Sequence, residues 1–281
     1  MKTAIADLAR LPGVWRGGEL EHVVHEVAAT GHAALDRELP GGGWPIATLS
    51  EVLHDGVGIG EVGFLAHALA KASEGERLIA WIHPPHVPYA PALAALGVPL
   101  ERLLVMRPAS REDALWAAEQ AMRSGACGAV LLWLQGLRSA HARSGARRDD
   151  EYAALRRLQM AAESGRCMAV HFRPASAEKL STPAHLRVSL AREGPALMLR
   201  IPKRRGPPLA YPIAITAGWQ RRFAVTPAHG DFTPAHRDVT PAHGDVTAAH
   251  GDVAPAQAGA QFPQQELAKN IHRVRAFSIV R

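Results

Sequence analysis

Five short apolar runs, at residues 48–53, 78–82, 103–106, 129–134 and 167–172, alternate with four amphipathic segments at 61–73, 89–96, 110–124 and 149–164. Strands separated by helices of that length imply βαβ units. The expected fold is therefore α/β: a mostly parallel, twisted sheet flanked by helices. A further pair of runs, 186–192 and 196–201, reads as a hairpin. Two of the helices begin with clear signals. Ser110-Arg-Glu-Asp113 is a capping-box pattern, and Asp149-Asp-Glu151 places negative charge at a positive helix end. At 281 residues and 47% hydrophobic content, the chain can bury one sizeable core.

The alternation occupies a body of about residues 35–222, preceded by an arm of residues 1–34 with an amphipathic helix candidate from Glu19 to Ala29. From Thr226 the character changes. Seven-residue units such as Thr226-Pro-Ala-His-Gly-Asp-Phe232 and Thr240-Pro-Ala-His-Gly-Asp-Val246 recur within residues 223–263. Proline and glycine in most units exclude the coiled coil that a seven-residue period suggests. The spaced His229, His236, His243 and His250 are either metal ligands on a flexible strand or part of a disordered tract expanded by repeat slippage; the composition favours the tract. Residues 264–281 form a basic tail, read as a short helix ending in Phe277-Ser-Ile-Val280, either a partner-docking element or a disordered end.

Charge is uneven. Residues 226–281 hold five Lys/Arg and five Asp/Glu, so the whole net charge of +6 lies in residues 1–225. A basic folded body suits a polyanionic neighbour. Cys127 and Cys167 lie in apolar runs without a CxxC partner and read as buried, reduced thiols. The first residues lack the apolar run of a signal peptide, and no stretch approaches the ~18 apolar residues of a membrane span. A cytoplasmic location follows as the expectation.

Between the strand 48–53 and the helix 61–73 lies a glycine-rich turn with Gly56, Gly58 and Gly60, where a phosphate-binding loop belongs. Such a loop ends in Gly-Lys-Ser/Thr, the lysine neutralising phosphates and the hydroxyl holding Mg²⁺. Here Gly60 is followed by Glu61 and Val62. The first would set a negative charge against a triphosphate; the second has no oxygen for a metal.

Taken together, these segments resemble the ATPase core of the RecA recombinase family. The residues that carry the resemblance are Leu39-Pro40-Gly-Gly-Gly43-Trp-Pro45, Tyr89-Ala-Pro-Ala-Leu-Ala-Ala-Leu-Gly-Val98, Leu103-Leu-Val-Met-Arg-Pro108 and Arg123-Ser-Gly-Ala126. The resemblance implies displaced functions at four sites. The loop lysine and threonine positions hold Glu61 and Val62, the catalytic glutamate falls at about Pro85, the magnesium-orienting aspartate at Trp133, and the polar switch residue at about Arg173. Phosphoryl transfer depends on positioning and charge stabilisation, so loss of all these groups implies a RecA-like fold that hydrolyses no ATP and needs no cofactor.

Within that superfamily the chain is similar to the ImuA family of damage-inducible translesion synthesis. Trp15-Arg-Gly-Gly18, Glu38-Leu-Pro-Gly-Gly-Gly-Trp-Pro45, Ile82-His-Pro-Pro-His-Val-Pro-Tyr-Ala-Pro91 and Lys203-Arg-Arg-Gly-Pro-Pro208 carry the likeness. It implies an SOS-induced, non-catalytic accessory protein working with an ImuB-like Y-family polymerase subunit and an error-prone C-family polymerase. Contact with a RecA filament or DNA is also implied, which would place the protein at the nucleoid. The alternative is a SulA-like division inhibitor that binds the tubulin-like division protein.

Candidate contact residues are Arg138, Arg143, Arg147 and Arg148 in the loop after the strand 129–134, and Lys203, Arg204 and Arg205 after the hairpin. Each cluster either grips phosphates or an acidic partner, or is a solvated basic segment. Trp15 is a candidate partner anchor. His83 and His86 look like a metal pair but have no third ligand nearby in sequence, and a structural or solvent-facing role is the expectation.

Overall fold

The computed structural model describes residues 26–56, 58–139, 148–206, 209, 211–216 and 277–279. The central element is a nine-stranded sheet built on the alternation read from the sequence. Its strands are β3 (Thr48–Leu53), β4 (Leu78–Ile82), β5 (Leu103–Met106), β6 (Cys127–Trp133), β7 (Met168–Arg173), β8 (Leu186–Glu193), β9 (Ala196–Lys203), β10 (Ile213–Thr216) and β11 (Phe277–Ile279). They lie in the order β10-β9-β8-β3-β7-β6-β4-β5-β11. Pairing from β8 through β3, β7, β6 and β4 to β5 is parallel; β9, β10 and β11 join antiparallel. The α/β class and the mostly parallel sheet are as expected.

Helices cover both faces, because a strand buried on two sides needs apolar cover on each. On one face, α2 (Glu61–Ala72) and α3 (Ala90–Ala95) set Phe64, Leu65, Leu69 and Leu93 against Val52, Trp81, Leu131 and Val170. On the other, α4 (Arg111–Arg123) and α5 (Arg148–Gly165) set Ala114, Ala118, Leu155 and Leu158 against Leu49, Ala80, Val130 and Ala169. A Cβ on Gly165 would stand 1.7 Å from the Met122 carbonyl oxygen, so the close approach of α5 to α4 requires glycine there. Cys127 and Cys167 are buried and free, and burial pushes both thiols up to about 12. No described helix is long and apolar enough to cross a membrane.

Two expectations at the chain ends are corrected. The helix placed at Glu19–Ala29 does not extend to its last residues: Val27–Ala28 is a strand, β1, paired antiparallel with β2 (Trp44–Pro45). Residues 19–25 lie outside the described residues. The helix read at 264–281 gives way at Phe277–Ile279 to strand β11, which pairs with the outer edge of β5, Phe277 opposite Met106. Strand β11 pairs the edge N–H and C=O groups of β5, whereas β1 and β2 form a separate two-stranded sheet, and strands this short leave no local periodic signal. A short helix α1 (Ala33–Asp36) completes the elements. The repeat tract of residues 223–263 lies outside the described residues.

Candidate functional site

The glycine turn sits where β3 ends and α2 begins. Gly56, Gly58 and Gly60 have φ of 84°, 74° and 106°, conformations that side chains beyond glycine avoid. Such turns aim backbone N–H groups inward, and the positive end of α2 adds to the attraction for an anion. The anion present is the protein's own. The carboxylate of Glu61 accepts from the Gly60 N–H at 3.1 Å and, over a longer 3.4 Å, from the Gly58 N–H, and the residue is 5% exposed. Val62 is half-buried against the core. An incoming phosphate would have to displace a carboxylate from those donors and would meet its charge.

Aromatic rings fill the neighbouring strand ends. Trp133, last residue of β6, stacks on Phe172 of β7 with centroids 4.4 Å apart and planes 3° from parallel. Phe172 meets His54 edge-on at 5.9 Å, and the His54 ring nitrogen Nδ1 lies 2.7 Å from the Gly56 carbonyl oxygen. Trp81 packs on Trp133 from β4. Where the resemblance calls for a magnesium-orienting aspartate there is thus a continuous apolar stack joining β4 to the glycine turn. Pro85 is exposed in the loop after β4.

Charge enters beneath the turn, on the α5 side of the sheet. Glu51 is fully buried in β3 and receives two guanidinium groups, Arg173 from β7 at 2.7 Å and Arg187 from β8 at 2.7 Å. Arg173 reaches on to Glu151 in the first turn of α5 at 2.8 Å, and Arg111 of α4 approaches the same carboxylate at 3.5 Å. Arg173, which the resemblance sets at about the switch position, is therefore held by two carboxylates. Beside it lies His171, whose imidazole is held well below its ordinary range by burial and then by Arg173 and Arg111. Neither Glu51 nor Arg187 is a candidate on sequence alone. A lone carboxylate in the otherwise uncharged strand 48–53 is the available signal.

The predicted contact residues are dispersed. Arg138 is exposed and its carbonyl accepts from the Arg111 N–H at 3.1 Å. Arg143, Arg147 and Trp15 lie outside the described residues, and of Arg148 only the backbone, opening α5, is described. The three cations after β9 do not act as one cluster. Lys203 donates to the Thr182 carbonyl at 2.8 Å, whereas Arg204 turns to the carbonyl and carboxylate of Glu38. Arg205 is exposed. Lys203 is held below the usual lysine range by burial and then by Arg187. Among the described residues, no group of His, Cys, Asp and Glu is placed to hold a metal, and His83 does not pair with the exposed His86 in one.

Comparison with known proteins adds a lineage to this geometry. The RecA N-terminal domain family matches residues 11–142. The cell division inhibitor SulA of Edwardsiella piscicida is 32% identical over 128 residues, which are 46% of this chain and 68% of that protein. The RecA protein of Leifsonia xyli is 32% identical over 133 residues, 46% of this chain and 37% of that protein. The RecA protein of Bartonella tribocorum is 34% identical over 114 residues, 40% of this chain and 33% of that protein. The chain thus spans about a third of the RecA proteins it matches, against two thirds of the inhibitor.

Proposed function

This chain belongs to the RecA/SulA-like family, and we propose that within it the protein is a non-catalytic accessory of SOS-induced, error-prone translesion DNA synthesis. In this reading it holds an ImuB-like Y-family polymerase subunit and an error-prone C-family polymerase near damaged DNA, and it neither binds nor hydrolyses ATP. The observation that carries the loss of catalysis is the Glu61 carboxylate lying on the turn's own N–H donors. Phosphoryl transfer is accelerated chiefly by donors and cations aimed at the phosphates, and each deleted donor removes about 3–4 kcal/mol. A turn whose donors already serve a carboxylate, beside a tryptophan stack, has little left to offer a metal-bound triphosphate.

Two measurements test the reading. Full-length protein titrated with a fluorescent ATP analogue and Mg²⁺ is expected to show no saturable binding; micromolar binding with turnover abolished by Glu61→Ala would overturn it. Pull-down against the Y-family-like polymerase subunit, at low and high salt, is expected to retain that subunit. Failure at both salts would remove the accessory role.

A second reading is favoured by one specific observation: the match spans two thirds of the SulA relative. On that reading the protein inhibits division by binding a tubulin-like division protein. Overexpression would then block septation, and normally dividing cells would eliminate it.

A further inference from the structure

One cleft among the described residues is set apart from the glycine turn, on the α5 side of the sheet. It has a volume of about 490 Å³ and lies between α5 and the strand ends of β8 and β9. One wall is a single helical stripe, Tyr152, Arg156 and Met160, spaced four residues apart and so rising about 12 Å along α5. The other wall carries His185, Lys203 and Arg205. At its floor, Gln159 anchors α5 to the sheet by accepting from the Thr48 hydroxyl at 2.9 Å and the Leu49 N–H at 2.8 Å. That anchoring makes the cleft a fixed feature of the sheet and helix.

Two properties make this cleft unlike the ordinary surface. Apolar groups are left in it, with Met160 56% and Tyr152 39% exposed. Around them the charge has one dominant sign: Arg156, Lys203 and Arg205 face a single carboxylate, Glu163. The position of Lys203 has a structural cause. Ser189 is paired with Arg200 but Arg187 with Lys203, so β9 carries an extra residue there. Such a bulge turns the strand's side-chain phase, and Lys203 comes to lie beside Arg187 on the α5 side. Arg187 behind the cleft is itself paired with Glu51, and Lys203 is lowered first by burial and then by Arg187, with Glu51 opposing.

We propose that the cleft between α5 and the β8–β9 edge is a docking site for an acidic segment of a partner protein, its carboxylates on Arg156, Lys203 and Arg205 and an apolar side chain on Met160 and Tyr152. The occupant follows from charge and shape. Cations around an apolar centre complement an amphipathic acidic chain. A single-stranded nucleic acid needs a succession of rings on which bases stack, and the cleft offers one tyrosine. A thioether adapts readily to aliphatic side chains. This inference rests on the reading of the chain as a partner-holding protein and names the chemistry of one partner surface.

The test uses the full chain and a short fluorescein-labelled peptide with glutamates and leucines at helical spacing, followed by fluorescence anisotropy, with labelled oligothymidine as the competing probe. The peptide is expected to bind saturably. Arg156→Glu, Lys203→Glu and Met160→Ser are each expected to weaken it about tenfold, equivalent to about 1.4 kcal/mol. Arg156 and Met160 are exposed, so these variants are expected to melt as the parent does. No saturable binding, or equal binding by all variants, overturns the proposal. Oligothymidine binding that the same variants abolish overturns it in favour of a nucleic-acid surface. A polymerase pull-down that succeeds while the peptide fails would defeat the cleft and spare the accessory role; peptide binding with a failed pull-down would do the reverse.

Discussion

His171 is a buried imidazole in the field of two guanidinium groups, and its chemistry can be read from that setting. Burial first, then Arg173 and Arg111, hold its pKa well below the 6.5 of an unperturbed imidazole. The folded chain therefore keeps it neutral where the unfolded chain would protonate it. Below about pH 6.5 the unfolded state binds more protons, so this group's contribution to stability is present above that value and is lost as the pH falls. Melting temperature is expected to drop between about pH 7.5 and about pH 5.5, and His171→Gln is expected to flatten that slope. His32 and His83 are lowered by burial in the same direction, so part of the slope should persist. A variant with the parental slope would refute this assignment. The reading of Glu61 also lives at this scale. Its identity was plain in the sequence, but its carboxylate's return onto the Gly60 N–H depends on three positive φ angles in the turn before it.

Elements followed the local pattern closely. The helix expected at 110–124 forms at Arg111–Arg123, with the Ser110 Oγ accepting from the Asp113 N–H at 3.1 Å. The reciprocal half of the capping box is altered: the Asp113 carboxylate accepts from the Ser110 hydroxyl at 2.8 Å. Ser110→Ala should cost about 1 kcal/mol, read as a lower denaturant midpoint at unchanged slope. An unchanged midpoint would mean the cap contributes nothing. The elements that escaped the sequence reading are short and lie at sheet edges or ends. β1 and β11 owe their extended form to a partner strand far along the chain, Trp44–Pro45 and Leu104–Met106 respectively. Periodicity within two or three residues carries no such information.

At the scale of the whole molecule, Glu51 is the fully buried junction of the site's charges. Through Arg173 and Arg187 it ties β3 to β7 and β8, and through Arg173 and Glu151 to α5. Removing one member of a buried ionic network leaves charges without partners, at a cost of about 3–5 kcal/mol. Glu51→Gln is expected to lower stability by about that amount in urea unfolding, far more than an exposed pair would. A loss below about 1 kcal/mol would show the network to be solvated and the picture of a rigid, charge-locked sheet to be wrong. The same network holds Arg173 in place, as a frame built to present fixed surfaces would require.

Local physics by itself accounts for much of this protein. Short apolar runs, apolar period three to four and a capping serine place β3 through β9 and α2 through α5, because each signal acts within a few residues. The pairing order of the strands, the bulge that brings Lys203 to Arg187, and the division of Lys203, Arg204 and Arg205 among different partners appear only in the folded chain. They depend on which distant segments share an edge or a face, and burial and charge compensation decide that across the whole sheet at once.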